Sequence, residues 1–369
     1  MRFSLFITLA SLALTHAGIY KDIDDLWSFD LAEGRNADWM ADLYDHVKLP
    51  DLTIPGTHSS MTDRLQSSRM QTQSEPLAQQ LTGGIRYIDI SCRYINNDMR
   101  VYHGLADTGY SLQDVLTTLF DFLHDHPREA IILRIQKGSF FDNTKTFLSS
   151  IEAHLISGSE LSNRANQYIY STDSNRKVIP TLGQVRGKVL LLRDFKISQA
   201  GSYGISWNSD AISSYNHRLA LGDPFLGLKW GSIKSNINRS RCKDYKKLRI
   251  THTTASAGVK PINIATTAVA LYGINRRLGR YLMYERGNCF GIVVMDFPGC
   301  YLVEHIVGMN KKYLDPERSG IRAEVAEANE VIEGDEVVEA DELDDEGPLD
   351  QVSDDDSSDD EDGPAPAMM

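Results

Sequence analysis

The 369-residue sequence is poor in cysteine, with four, and in tryptophan, also four. It contains no Cys-x-x-Cys pair and no His-Glu-x-x-His run, which removes the usual spacings of a zinc site. The spacing of Cys92, Cys242, Cys289 and Cys300 leaves the disulfide pairing open. No stretch reaches the ~18 apolar residues that a membrane-spanning helix needs. Basic residues stop at Arg322, beyond which lie 20 of the chain's 51 acids. A run such as 354–362, seven acids and two serines, cannot bury enough apolar surface to offset its ordering entropy. Residues 321–369 are therefore expected to form a disordered acidic tail.

What remains is mildly basic. Residues 1–322 carry 38 bases against 31 acids, a formal +7, while the whole chain is at −13. Such a body suits an anionic substrate or a membrane surface. The first residues hold one arginine, an apolar run over 3–14 and then Thr15-His16-Ala17. This is the layout of a secretory leader cleaved after Ala17, so a secreted, extracellular protein is expected. Residues 18–320 remain for one folded domain, long enough for a sizeable core.

Within that body, short β-rich runs alternate with helical periods. Residues 85–90 read as a strand, and 112–123 place apolar side chains at 112, 115, 116, 119, 120 and 123, with Ser111 as N-cap. The run 130–135 is the next strand, followed by a helix over 145–155. Runs at 189–192 and 291–295 are further strands, with one helix expected over 265–282 before the second. Apolar strands alternating with helices predict a parallel α/β sheet covered by helices, open or closed into a barrel. The stretch 198–256 is rich in Gly, Ser and Asn, and its strands cannot be drawn from periodicity.

Three strand ends carry polar residues just where an apolar run stops. Pro55-Gly56-Thr57 leads into His58, Asp89 lies in the strand before Tyr102-His103-Gly104, and 291–295 runs into Asp296. In βα barrels such positions converge on one mouth. Two histidines and two carboxylates there can serve as a general base and a general acid, oriented by carboxylates.

The combination resembles a known family. The segment 49–62, reading LPDLTIPGTHSSMT, is similar to the opening signature of phosphatidylinositol-specific phospholipase C X-domains of bacterial and fungal type. Gln71-Thr72-Gln73, the run 77–81, the run 83–90 and Tyr102-His103-Gly104 match in order and spacing, and 186–193 and 294–297 resemble later motifs. The resemblance covers roughly 45–310 and implies a distorted, incomplete TIM-type βα barrel. It implies that His58 is the base acting on the inositol 2-hydroxyl, Asp296 its orienting partner, and His103 the acid for the departing diacylglycerol oxygen. It also implies that Asp89 lines the site. The implied substrate is phosphatidylinositol or a glycosylated inositol lipid at a membrane surface, with no nucleic-acid partner.

Lys137, Arg193, Asp223 and Phe225 stand near positions that the family uses on the inositol ring. Two positions depart from the pattern: Ser59 follows the first histidine in place of Asp, and Ser91 replaces the arginine two residues after the strand Asp. Arg93, two residues further on the same face if the strand continues, is the candidate replacement. The matching positions Ser59, Asp89, Ser91 and Gln136 give calcium poor support, so neither a metal nor another cofactor is expected. Two other readings stay open. One is a non-catalytic member that binds inositol lipid or another ligand in the same cleft. The other is a barrel phosphodiesterase of a different family.

Overall fold

The computed structural model describes residues 25–138, 143–156, 158–171, 178–195, 204–216, 226–239, 246–255, 259–266, 272–285 and 289–319. The expected leader, the acidic tail, Cys242, Asp223 and Phe225 lie outside these residues. Among the described residues there are ten strands: β1 (Thr53–Thr57), β2 (Tyr87–Ile95), β3 (Asp98–His103), β4 (Ala106–Ser111), β5 (Ala130–Lys137), β6 (Lys188–Asp194), β7 (Ile205–Ser206), β8 (Ile212–Asn216), β9 (Leu248–His252) and β10 (Gly291–Met295). Eight of them run parallel in the order β7-β6-β5-β2-β1-β10-β9-β8, and β3 and β4 extend β2 as an antiparallel hairpin. The result is a nearly closed parallel α/β barrel with one seam, the distorted TIM-type fold expected from the sequence.

Among the described residues no ladder joins β7 to β8, and the seam lies there. Only residues 207–211 separate these two strands. A helical crossover between parallel neighbours needs a dozen residues or more, so this link cannot bring β8 into register beside β7.

Alternation along each strand sorts apolar residues between two cores. Ile54, Tyr87, Ile132, Leu190, Leu192, Ile250, Ile292 and Val294 fill the barrel interior. The residues between them, such as Ile88, Ile131, Leu133, Val189, Leu191 and Val293, face outward. They pack on Leu116 and Phe120 of helix Leu112–Asp125, Leu278 of helix Ile274–Tyr284 and Leu302 of helix Cys300–Gly308. The helix after β4 starts where the sequence placed it. Ser111 accepts from the Asp114 backbone N–H at 3.1 Å, and the Asp114 carboxylate accepts from the Ser111 N–H at 2.7 Å. The single helix expected over 265–282 is instead two, Pro261–Ala265 and Ile274–Tyr284. Thr266 is extended and ends the first, and Gly273 begins the second so close to it that a Cβ there would sit 2.3 Å from the Ala265 carbonyl oxygen.

Opposite the C-terminal strand ends, the barrel is closed by a buried ion pair. Arg86 donates through Nε to Glu129 at 2.8 Å, with both side chains fully buried. The same guanidinium also donates to the carbonyls of Asn36, Ala37, Leu81 and Ile85, and Glu129 accepts from the Met40 N–H. This pair ties the segment before β1 to the barrel floor. Cys289 is disulfide-bonded, whereas Cys92 and Cys300 are free thiols.

Candidate active site

Six of the eight barrel strands stop being apolar at nearly the same height. Two residues beyond the inward-facing Gly56, Tyr87, Ile132, Leu192, Ile250 and Val294 come His58, Asp89, Arg134, Asp194, His252 and Asp296. Because side chains alternate with period two, these six also point inward, forming a polar ring on the apolar plug. Gly56 lets β1 approach β2 here, since a Cβ on it would lie 2.8 Å from the Tyr87 side chain.

His58 follows β1 and donates its backbone N–H to the Met295 carbonyl at 3.0 Å. Its own carbonyl accepts from Thr72 Oγ1 and Gln73 Nε2, both at 2.9 Å. The next residue, Ser59, has φ 44°, and Phe297 after Asp296 has φ 47°. Such left-handed non-glycine positions cost energy and persist only where surrounding contacts enforce them. Here they flank the two partners of one hydrogen bond. His58 Nδ1 lies 2.9 Å from Asp296 Oδ1, and Asp296 Oδ2 accepts from the Ala255 N–H at 2.8 Å. Asp296 is almost wholly buried while His58 keeps 22% of its side chain exposed. A carboxylate only accepts, so Nδ1 carries a proton, and Nε2 has its lone pair free whenever the ring is neutral.

His103 comes from the end of β3, at the hairpin, with its ring 5.5 Å from that of His58 at 82° between planes. Its Nδ1 donates to the Met70 carbonyl at 2.6 Å, which again leaves Nε2 to exchange a proton. The two rings differ in proton affinity. Burial opposes charge on His58, but Asp296, helped by Asp89, outweighs it and raises that imidazole above the usual value. His103 is lowered, by burial first and then by the neighbouring His58.

Asp89 is held by Arg134, its ladder partner on β5, through Nη1 at 3.1 and 3.4 Å. Arg134 Nη2 reaches Asp194 at 2.5 Å, and the guanidinium lies 3.9 Å from the Trp207 ring centroid. Ser91 donates to Gln136 Oε1 at 3.1 Å. These donors do not fit calcium: Asp89 is already satisfied by a guanidinium, and Ser59, Ser91 and Gln136 add no second carboxylate.

The structure therefore brings together His58, His103, Asp89 and Asp296. It places Arg93 elsewhere, its guanidinium 4.8 Å from the Tyr102 ring centroid, while Arg134 takes the place beside Asp89. Lys137 and Arg193 occupy outward positions of β5 and β6. Lys137 Nζ bonds Thr144 Oγ1 at 3.0 Å and Arg193 Nη2 approaches the Gly204 carbonyl at 3.4 Å. Their inward neighbours are Gln136 and Asp194. Asp223 and Phe225 lie outside the described residues. Arg134, Asp194 and His252 belong to the ring, Trp207 lies against Arg134, and none of the four was singled out from sequence.

Residues 52–194 match the family model of the phosphatidylinositol-specific phospholipase C X domain. A 1-phosphatidylinositol phosphodiesterase of Listeria monocytogenes is 31% identical over 290 residues, covering 74% of this chain and 84% of that protein. One from Staphylococcus aureus is 27% identical over 190 residues, 47% of this chain and 57% of its own. The solved phosphatidylinositol-specific phospholipase C of L. monocytogenes superposes with a TM-score of 0.65 at 28% identity, covering 75% of this chain and 99% of that one.

Proposed function

The chain belongs to the phosphatidylinositol-specific phospholipase C X-domain family, and on that premise we propose that it is a secreted phosphodiesterase cleaving phosphatidylinositol-type lipids, glycosylated ones included. The observation that carries the reading is the pair of imidazoles 5.5 Å apart, each anchored through Nδ1 with Nε2 left to the substrate. His58 Nε2 takes the proton of the inositol 2-hydroxyl. That oxygen forms a bond to the adjacent phosphorus as the bond to the diacylglycerol oxygen breaks, and the protonated His103 delivers a proton to the departing oxygen. Diacylglycerol and a cyclic inositol phosphate result. The nucleophile is already tethered beside phosphorus, so the protein has to supply proton transfer and charge stabilisation.

For that charge we assign Arg134, which pairs with Asp89, two residues before the uncharged Ser91. Arg134→Gln should lower turnover about 10²–10³-fold, the size of losing one preorganised donor, with Arg93→Ala close to wild type. The opposite ranking would return the role to Arg93. Melting curves measured alongside separate lost catalysis from lost folding, because Asp89 and Asp194 both lean on Arg134.

Leu105 is 89% exposed at the tip between β3 and β4, two residues from His103, and we assign it to the lipid surface. The test of the whole reading is release of cyclic inositol phosphate from phosphatidylinositol vesicles by purified protein. Leu105→Asn should slow this reaction several-fold more in vesicles than in detergent-dispersed lipid. A second reading, a cleft that binds inositol lipid without cleaving it, draws on Ser59 and Ser91. Vesicle binding with no product would favour it.

A further inference from the structure

His252 closes β9 on its inward face, above Leu248 and Ile250, which are apolar. It is 3% exposed, and its Nδ1 has no hydrogen-bond partner among the described residues. The ring stands 6.3 Å from that of His58, at 83° between planes, so it borders the site directly. Two residues on, the fully buried Thr254 also has a hydroxyl without a partner among the described residues. Unpaired buried polar atoms are costly, and an apolar side chain would avoid that cost, as Val294 does beside His252 on β10. Two such groups at one strand end, the first of them beside the His58 ring, mark a place made for a polar ligand.

The ring's chemistry narrows the ligand. Burial pushes His252 down to about 3, so it stays neutral at working pH. A neutral imidazole offers one N–H and one lone pair, the complement of a hydroxyl. A phosphate finds a better partner in Arg134, whose charge bears on the same site. Rotation of the ring about Cβ–Cγ exchanges Nδ1 with Cδ2, so either edge can be turned to a ligand. Proton transfer is excluded as its task, since its proton affinity is too low for a base near neutrality.

We propose that His252 is a substrate-binding residue that hydrogen-bonds a ring hydroxyl of a cyclitol headgroup and so selects cyclitol phosphodiesters over acyclic ones. This rests on the phosphodiesterase reading above. It is tested with two probes, myo-inositol and sn-glycerol 3-phosphate, by the rise in melting temperature that each produces, together with kcat and KM on phosphatidylinositol. In His252→Phe the rise with myo-inositol should vanish, the rise with glycerol phosphate should remain, and KM should increase about tenfold, the worth of one hydrogen bond. His252→Gln, which keeps a donor and an acceptor, should retain part of the inositol response. An unchanged inositol response and KM in His252→Phe overturns the inference alone, as does equal loss of both responses. Wild-type protein that binds neither probe and releases no product overturns the phosphodiesterase reading with it.

Discussion

His58→Ala should lower release of cyclic inositol phosphate by about 10²–10⁴-fold, the range over which positioned acid and base groups contribute. His103→Ala should do the same, because the proposed mechanism has the two rings act on opposite ends of one displacement. Both sit at a polar mouth, so circular dichroism should show the fold retained. The pH dependence carries the same prediction. His58 is raised above the usual histidine value and His103 lowered below it, so between the two the pair holds one proton, mostly on His58. Catalysis needs that proton on His103 instead, a minor arrangement of the same protonation state. Adding a second proton at low pH removes the base, and losing the first at high pH removes the acid. The profile of kcat/KM should therefore be a bell whose two apparent values straddle about 6.5. Near-native turnover in either variant, or a profile with one limb, would reassign the pair.

Glu129→Ala should destabilise the protein by about 3–5 kcal/mol, the cost of stranding one member of a buried pair. The fully buried Arg86 would keep its four carbonyl acceptors and lose its only carboxylate among the described contacts. The Met40 N–H would lose its acceptor as well. Calorimetry should show a melting temperature lower by roughly 10 °C for a domain of this size. The pair lies at the floor, away from the catalytic mouth, so protein that remains folded should keep its KM. A shift under about 1 kcal/mol would mean that water reaches Arg86 when the carboxylate is gone.

Part of this site could be read directly from the chain. His58, Asp89, His103 and Asp296 stood out because each follows or interrupts a short apolar run. Arg134 did not, since it interrupts the run 130–135 so briefly that the whole run read as apolar. Lys137 and Arg193 drew attention because they stand near positions that the resembling family uses on the inositol ring, yet both fall on outward positions. A change of one residue in strand phase exchanges the two faces, and composition does not set that phase. Once Asp89 is known to face inward, its ladder partner Arg134 follows, and Asp194 with it. His252 lay in a stretch without periodicity, and only its pairing with Val294 places it at the mouth.

The sequence by itself determined the class of fold, a parallel α/β sheet covered by helices, because buried parallel strands need continuous apolar runs, while the barrel was implied only by the family resemblance. It also determined the two histidines and the carboxylate at the end of β10, because strand ends are where polar side chains become affordable. The tertiary structure alone decided which cation stands beside Asp89, where the barrel opens between β7 and β8, and that a third histidine borders the site. The seam follows from the short link between its two strands, and the other two depend on register between strands far apart in the chain. Register is set by packing the whole barrel at once and leaves no mark on any single segment.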